Sequence, residues 1–449
     1  MKETRSKILS KRFNVLRLSK PLKVLILSTI LVLLFSSTGY STIRYVKAGN
    51  PTPVYPYTSW ATASDSIQKV VDMCESGDTI LIGTGVYREQ VVSEHPGRDL
   101  AIIGVDVDSC IVDLSLLPQF EYKHALIFWD NLTLENITIT TILYPTNHTG
   151  LWVPPISGSA KVKINNNKFI GGFYKSLYVL LATGTISGNY FLKSEIGLET
   201  SEKPASVPII IVNDNIVYNC SRSLLGNYGL FHNNLVLDFS NAGIYIPLFG
   251  GSGVFLNNLI IGKKGGTTHG VDDARGVFTN NVVKNCTSAI TPWNILPLNL
   301  VNNSIDSCTI IFNLYQNGNV DGSISYNNFY GNGTISNDIS KLNPDTLIYT
   351  SFDPMYEGTD SSNYRLQMYS PLIDAGDPTI LDVDGTRSDI GRYGGPYGQR
   401  YDYLDLAPKK PRFTLVTSPP TPLLKGEGRM EIHWRGGTEA DFNSFSLHR

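Results

Sequence analysis

Apolar residues along this chain recur over short runs of three to five positions, as in Val212 and Ile216 or Phe255, Leu259 and Ile261, and Gly, Asn and Ser separate the runs. Such runs predict short strands broken by turns, and they hold no helix-length stretch of period 3.6. Two stretches depart from this. DSIQKVVDMC (65–74) puts Ile67, Val70, Val71 and Cys74 on one helical face, with Asp65 and Gln68 at capping-box spacing, and predicts a short amphipathic helix. VLILSTILVLLF (24–35) is a continuous apolar run behind a basic leader.

The strand pattern repeats. Aligning each segment on an asparagine three residues after one apolar residue and two before another gives INNNKF (Asn167), ISGNYF (Asn189), VNDNIV (Asn215), FHNNLV (Asn234), FLNNLI (Asn258), FTNNVV (Asn281), LVNNSI (Asn303) and ISYNNF (Asn327). Successive spacings are 22, 26, 19, 24, 23, 22 and 24 residues, which marks a solenoid. Leucine-rich repeats need a leucine consensus and propeller blades need about 40 residues, so neither fits. A strict multiple of six is also absent, which leaves an all-β, right-handed parallel β-helix with turns of unequal length. Its coils stack about 4.8 Å apart, so an inward Asn in each coil can bond to the next and satisfy its own amide. Cys220, Cys286 and Cys308 each follow an aligned asparagine by five residues and share one inward position. Buried thiols packing as small hydrophobes are expected there, with a Cys286–Cys308 disulfide as the alternative.

Composition and charge narrow the setting. Eight Lys or Arg within residues 1–23 precede the run at 24–35, and small or polar residues follow it. That run is short of the roughly 20 residues a membrane span needs, so residues 1–41 read as a cleaved secretory signal; an uncleaved anchor is the alternative and the only membrane attachment expected. Of 37 basic and 39 acidic residues, eight and one lie in this segment, so the remainder carries a net charge of −9. An exported chain of that balance does not suit nucleic acid, whose phosphates need clustered cations. The five cysteines include no CxxC pair, which argues against a zinc site.

SWATASDSIQKVVDMCESGDTILIGTGVYREQV (59–91) resembles the opening of right-handed β-helix proteins of the pectin-lyase-like superfamily, where a capping helix leads through a Gly-Asp turn into the first strand. SPLIDAGDPTILDVDGTRSDIGRYGGPYG (370–398) is similar to the closing segment of the exported, multi-coil members. The likeness covers 42–398 and implies a helix-capped solenoid. Residues 399–411 read as a linker, and 412–449 resemble the first strands of a fibronectin type III-like domain too short to close two sheets. SPPTPLLKGEG (418–428) looks like an inserted repeat within it.

Enzymes of this superfamily work on acidic polysaccharides. The resemblance therefore implies either Ca²⁺-assisted elimination with an Arg or Lys base, or hydrolysis by paired aspartates. The local candidate is THGVDDARG (268–276), with His269, Asp272, Asp273 and Arg275 as candidate site residues and Lys263 and Lys264 ahead of them. At the offsets of the two aspartates from Asn281, the neighbouring repeats carry Phe249 and Gly250, or Asn294 and Ile295, so the acids do not belong to the repeat. An exposed polar turn with an Asp–Arg pair is the structural alternative. The pair resembles polygalacturonase-type aspartates, but the histidine and Arg-x-Lys motifs that should follow are absent, as is a lyase Arg-x-Pro-x-x-Arg pattern; LDFS (237–240) is a weak esterase-like motif. DVDGTRSD (382–389) has carboxylates spaced for Ca²⁺ but lacks a third ligand and a closing Glu, so a structural turn is expected. Trp129, Trp152, Trp293 and Tyr245 can stack on sugars or cover turns. With no complete catalytic motif, the sequence favours an extracellular or envelope monomer that binds polysaccharide through its solenoid face. A lyase or glycoside hydrolase acting on a uronate polymer is the alternative.

Overall fold

A computed structural model describes residues 41–404 apart from 116–123, 142–147, 155–159, 202–208, 227, 247–252, 293–296, 315–319, 321 and 359–362, together with the backbone of 412–417 and 431–435. The chain divides into Met1–Thr42 and Ile43–Arg449, and the elements below belong to the second unit. Each coil contributes three strands, for example Gly276–Thr279, Val282–Lys284 and Ser288–Thr291. Each strand pairs in parallel with its counterparts one coil before and one coil after: Phe255 with Phe278 with Leu300, Ile260 with Val283 with Ile305, and Val271 with Ile290 with Phe312. Three strand faces result. The first two form one 23-stranded sheet and the third an 11-stranded sheet.

Register puts like residues on top of one another. Phe231, Phe255 and Phe278 stack with ring centroids 4.8 and 4.7 Å apart, and Phe169 stacks on Phe191 at 5.0 Å. All five are buried, and burying each contributes about 1.5–3 kcal/mol. The asparagine ladder runs beside them, at the corner between the first and second faces. Asn258 donates from its backbone N and its Nδ2 to Asn281 Oδ1 at 2.9 and 3.0 Å, and from Nδ2 to Phe231 O at 2.9 Å. The same two bonds join every successive rung from Asn167 to Asn327. No rung is more than 2% exposed, and every amide is satisfied from within the ladder and the strand carbonyls.

The residue before each rung turns the corner. Asn166, Asp214, Asn233, Asn257, Asn280 and Asn302 all have φ between 54° and 57°, the left-handed region that Asn and Asp tolerate best. A second left-handed turn follows four residues after most rungs, at Lys193, Asn219, Asp238, Asn285 and Ser307. FTNNVVKNC therefore reads as corner (Asn280), rung (Asn281), second corner (Asn285) and inward thiol (Cys286). All five cysteines are buried and free, as the thiol reading expects. Asp238 of LDFS is likewise only the repeat's second corner.

The capping helix spans Ile67–Val71, with Ile67, Val70 and Val71 buried, and Cys74 just beyond it is buried too. Its N-cap differs from the expected Asp65–Gln68 box. Ser66 is the cap, and Glu89 from a neighbouring coil takes the orphan donors Ile67 N at 2.7 Å and Gln68 N at 3.0 Å. Asp65 instead pairs with Lys69 at 2.8 Å. At the other end Arg98 donates to Val71 O at 3.1 Å and Cys74 O at 2.7 Å while pairing with buried Asp130 at 2.8 Å. A carboxylate at the N-terminus and a guanidinium at the C-terminus complete a helix too short to stand alone.

After the last coil the chain returns along the outside of the second face as a strap. Tyr356, Tyr364, Leu366, Leu372 and Ile390 pack on Leu237, Leu259 and Val282 of the coils. The part of the predicted linker that is described packs with it: Tyr401 Oη accepts from Leu366 N at 2.9 Å, and Leu404 O accepts from Met368 N at 3.1 Å. Residues 405–411, the leader, the apolar run and SPPTPLLKGEG lie outside the described residues. Of the fibronectin-like segment, Arg412–Thr417 and Glu431–Arg435 form an antiparallel pair. Among the described residues no helix is long and apolar enough to cross a membrane.

Candidate functional site

The third face bends sharply within each strand. Gly197, Gly243 and Gly270 share one register position with Ser223 and Ala289, and a Cβ on Gly270 would lie 2.6 Å from Ala289 O. The bend makes outward side chains three apart rather than two: Lys175 and Tyr178, Arg222 and Leu225, His269 and Asp272. In the strand His269–Asp272, Gly270 and Val271 point to the core while His269 and Asp272 are partly exposed. Asp273 then takes φ +53° and turns the chain, and buried Ala274 and Arg275 lead into Gly276–Thr279. One strand and one turn therefore hold all four candidate residues. Lys263 and Lys264 stand exposed on the preceding turn.

Neighbouring coils complete the cluster. Tyr245 lies opposite Asp272, and its hydroxyl pulls the Asp273 carboxyl down. The Arg222 guanidinium lies over the Tyr245 ring, 5.2 Å from its centroid. His269 Nδ1 is 3.0 Å from Thr291 Oγ1 on the following coil, and Asp273 N donates to Asp272 Oδ1 at 3.2 Å. Burial pushes the Asp273 carboxyl up to about 6, and the charge of Asp272 adds to the rise against the pull of Tyr245, Arg275 and Arg222. Asp272 is raised as well, again chiefly by burial, with His269 and Arg222 opposing. Burial also lowers Arg275, although a guanidinium stays charged.

Tyr245, Arg222 and the rest of the outward row could have been found by counting forward from each rung. Tyr178, Glu199, Leu225, Tyr245 and Thr291 fall ten or eleven residues after their rungs and share one register position with Asp272. Asp272 falls fourteen after Asn258, because the turn at Lys263–Gly266 is longer. Offsets taken backward from Asn281 miss this. Trp152 joins the same row opposite Tyr178, with its ring 6.2 Å from Trp129; Trp293 lies outside the described residues.

Neither carboxylate group is shaped as a calcium cage. Among the described residues no three His, Cys, Asp or Glu side chains converge as metal ligands. Asp272 and Asp273 offer two carboxyls already balanced by arginines, whereas Ca²⁺ takes six to eight oxygens. In DVDGTRSD, Asp384 accepts from Thr386 N at 3.0 Å, and Asp382 accepts from Asp389 N at 3.1 Å and from Gly395 N. Those acids hold their own turn together.

No protein-family sequence model matches the chain, and no curated protein does. Solved structures similar to it include the pectate lyase Pel9A, 13% identical with a TM-score of 0.46, covering 79% of this chain and 97% of that one. XylC in complex with xylose is 10% identical with a TM-score of 0.43, covering 78% and 98%. The PL6 family alginate lyase AlyGC is 12% identical with a TM-score of 0.39, covering 72% and 55%. The chain is a parallel β-solenoid. Its strand registers and its ladder establish that independently of these likenesses.

Proposed function

We propose that the protein is exported, takes an acidic polysaccharide along its outward third face, and cleaves it by acid–base chemistry at the Asp272–Asp273 turn. One observation carries the reading: a buried carboxyl pushed up to about 6 sits at the left-handed turn that ends a third-face strand, beside a second raised carboxyl and two guanidinium groups. Such a group exchanges protons near neutral pH, and perturbed pairs in a cleft mark functional sites. Arg222 and Arg275 supply the positive charge that an anionic glycan needs. In hydrolysis the Asp273 proton passes to the glycosidic oxygen as its C–O bond breaks, and Asp272 takes a proton from the attacking water. In elimination the ionised Asp273 instead takes the proton beside the uronate carboxyl, and the glycosidic oxygen leaves with the bonding pair.

A second reading, binding without cleavage, is supported by the partners the groups already have. His269 Nδ1 already bonds to Thr291 Oγ1, and Asp272 Oδ1 accepts from Asp273 N. The test is incubation of the purified chain with pectate, alginate and chondroitin-type polymers, with and without added Ca²⁺, because polymer carboxylates bring oxygens of their own. Ultraviolet absorbance from an unsaturated uronate identifies elimination, and new reducing ends without it identify hydrolysis. Either should disappear in Asp273→Asn. Retained binding with no turnover on any polymer sinks the cleavage reading and leaves the second.

A further inference from the structure

The outward row does not end at the acidic turn. Register carries it from Asp272 through Tyr245, Leu225, Glu199 and Tyr178 to Trp152. That is five strand steps of about 4.8 Å, or about 24 Å from the carboxyls to the indole, with Leu225 and Glu199 buried between them. Its chemistry changes along the way, from carboxyls and arginines at one end to aromatic rings at the other. We propose that Trp152 is a distal stacking platform for further sugar rings of the same glycan, so that the ligand is a polymer held across at least six coils rather than a short end group. The proposal rests on the reading of the Asp272–Asp273 turn given above.

Trp152 is not needed as core filler. Leu151 and Val153, its neighbours in the strand Thr149–Val153, are both 0% exposed and fill the interior, so the indole between them lies on the outer side of the strand, partly exposed with its Nε1 buried. It is held there: the His124 ring lies 4.3 Å away at a tilt of 34°, and Trp129 meets it edge-on at 6.2 Å. A fixed ring offers stacking area with little ordering cost, which suits sugar C–H faces. Between platform and acidic turn, Lys175 Nζ lies 3.7 Å over the Tyr178 ring and 2.8 Å from Glu199, so a lysine paired with a carboxylate lies along the path.

The test is calorimetric binding of oligogalacturonides and oligoalginates of graded length to the full chain, to Trp152→Ala and to Trp152→Phe, with thermal midpoints confirming folded protein. Oligomers long enough to reach the platform should bind Trp152→Ala about tenfold more weakly than the parent, and Trp152→Phe should recover most of the loss. Short oligomers should not distinguish the three. Equal weakening at every length, or none at any, overturns the platform while leaving the acidic turn standing. A parent chain that binds no acidic oligomer of any length overturns both.

Discussion

The second and third faces are built from the same repeat and finished in opposite ways. On the second, outward positions are apolar (Leu235, Leu237, Leu259, Ile261, Val282) and the strap seals them. On the third they are Trp152, Tyr178, Glu199, Leu225, Tyr245, Asp272 and Thr291, mixed in chemistry, with Trp152, Tyr178, Tyr245 and Asp272 partly exposed. The corner asparagines decide where the strap lies. Asn233 donates to Tyr397 O at 3.2 Å, and Asn257 to Arg392 O at 2.8 Å and Gly394 O at 2.6 Å. Asn280 donates to Ser388 Oγ at 3.1 Å and Asp389 O at 2.7 Å, and Asn302 Oδ1 accepts from Asp377 N at 2.7 Å. The four NN pairs from Asn233–Asn234 to Asn302–Asn303 thus each have an inward member that joins coils and an outward member that grips the strap. Outward apolar residues are spent on folding at one face, and charged side chains remain partly exposed at the other.

The largest break comes from the inward member. Asn281→Ala removes the acceptor of Asn258 N and Nδ2 and strands buried donors, each worth about 1–3 kcal/mol, so chemical denaturation should show a loss of about 3–5 kcal/mol. A loss below about 1 kcal/mol would mean that the ladder is ornament on a core held by its phenylalanines. Because each coil rests on its neighbours, the effect should spread along the solenoid.

Breaking the strap costs less and stays local. A Cβ on Gly394 would lie 2.1 Å from Asp389 O and 2.6 Å from Asn280 Nδ2, so Gly394→Ala cannot keep the clamp. Asn280→Ala loses the clamp's donors, at about 1–2 kcal/mol. In both variants hydrogen-exchange protection should fall over 385–397 and persist in the ladder. The strap also has a pH dependence. Burial, with the charge of Asp382 adding to it, pushes Asp389 up to about 7, against its bonds to Asp374 N and Tyr403 Oη. An acid raised in the folded state contributes stability in full below about pH 4 and loses it as pH rises to about 7. Exchange at 385–397 should quicken over that window and level off above it, and Asp389→Asn should flatten the profile.

The contrast between the faces was only half legible in the sequence. The ladder announced itself because a buried amide stack demands one residue type at one position in every coil, and the spacings followed. The strap did not, because its contacts join Asn233 to Tyr397 and Asn280 to Asp389, and no local pattern links residues that far apart. SPLIDAGD through GGPYG showed as a closing segment without showing what it closes on. The four candidate residues stood out because they are contiguous and because their offsets from Asn281 match nothing in the neighbouring repeats, offsets that a longer turn before them had shifted. Tyr245 was singled out only as a ring, and Arg222 not at all, since a parallel coil assembles its site from residues a full turn apart in sequence. The helix cap was misassigned for the same reason: Glu89 reaches it from a neighbouring coil.

The smallest effect on stability should come from the open face, where the effect on function is largest. Asp273 has φ +53°, which Asn tolerates as well as Asp does, so Asp273→Asn keeps the turn. Its carboxyl is raised to about 6, so it too contributes stability in full below about pH 4 and loses it toward pH 6. Above pH 6 the parent therefore carries an ionised group that its site disfavours, and the amide removes that cost. Asp273→Asn should be neutral or more stable by up to about 1 kcal/mol at neutral pH, a figure held down by solvent screening. The same ionisation adds negative charge to the face, so affinity for an acidic glycan should fall as pH rises through about 6 in the parent and stay level in the variant. Thermal midpoints and binding isotherms at pH 5 and pH 7 check both. A variant clearly less stable than the parent at pH 7, with an unchanged pH profile of binding, would make Asp273 another piece of scaffold, like the asparagines beneath the strap.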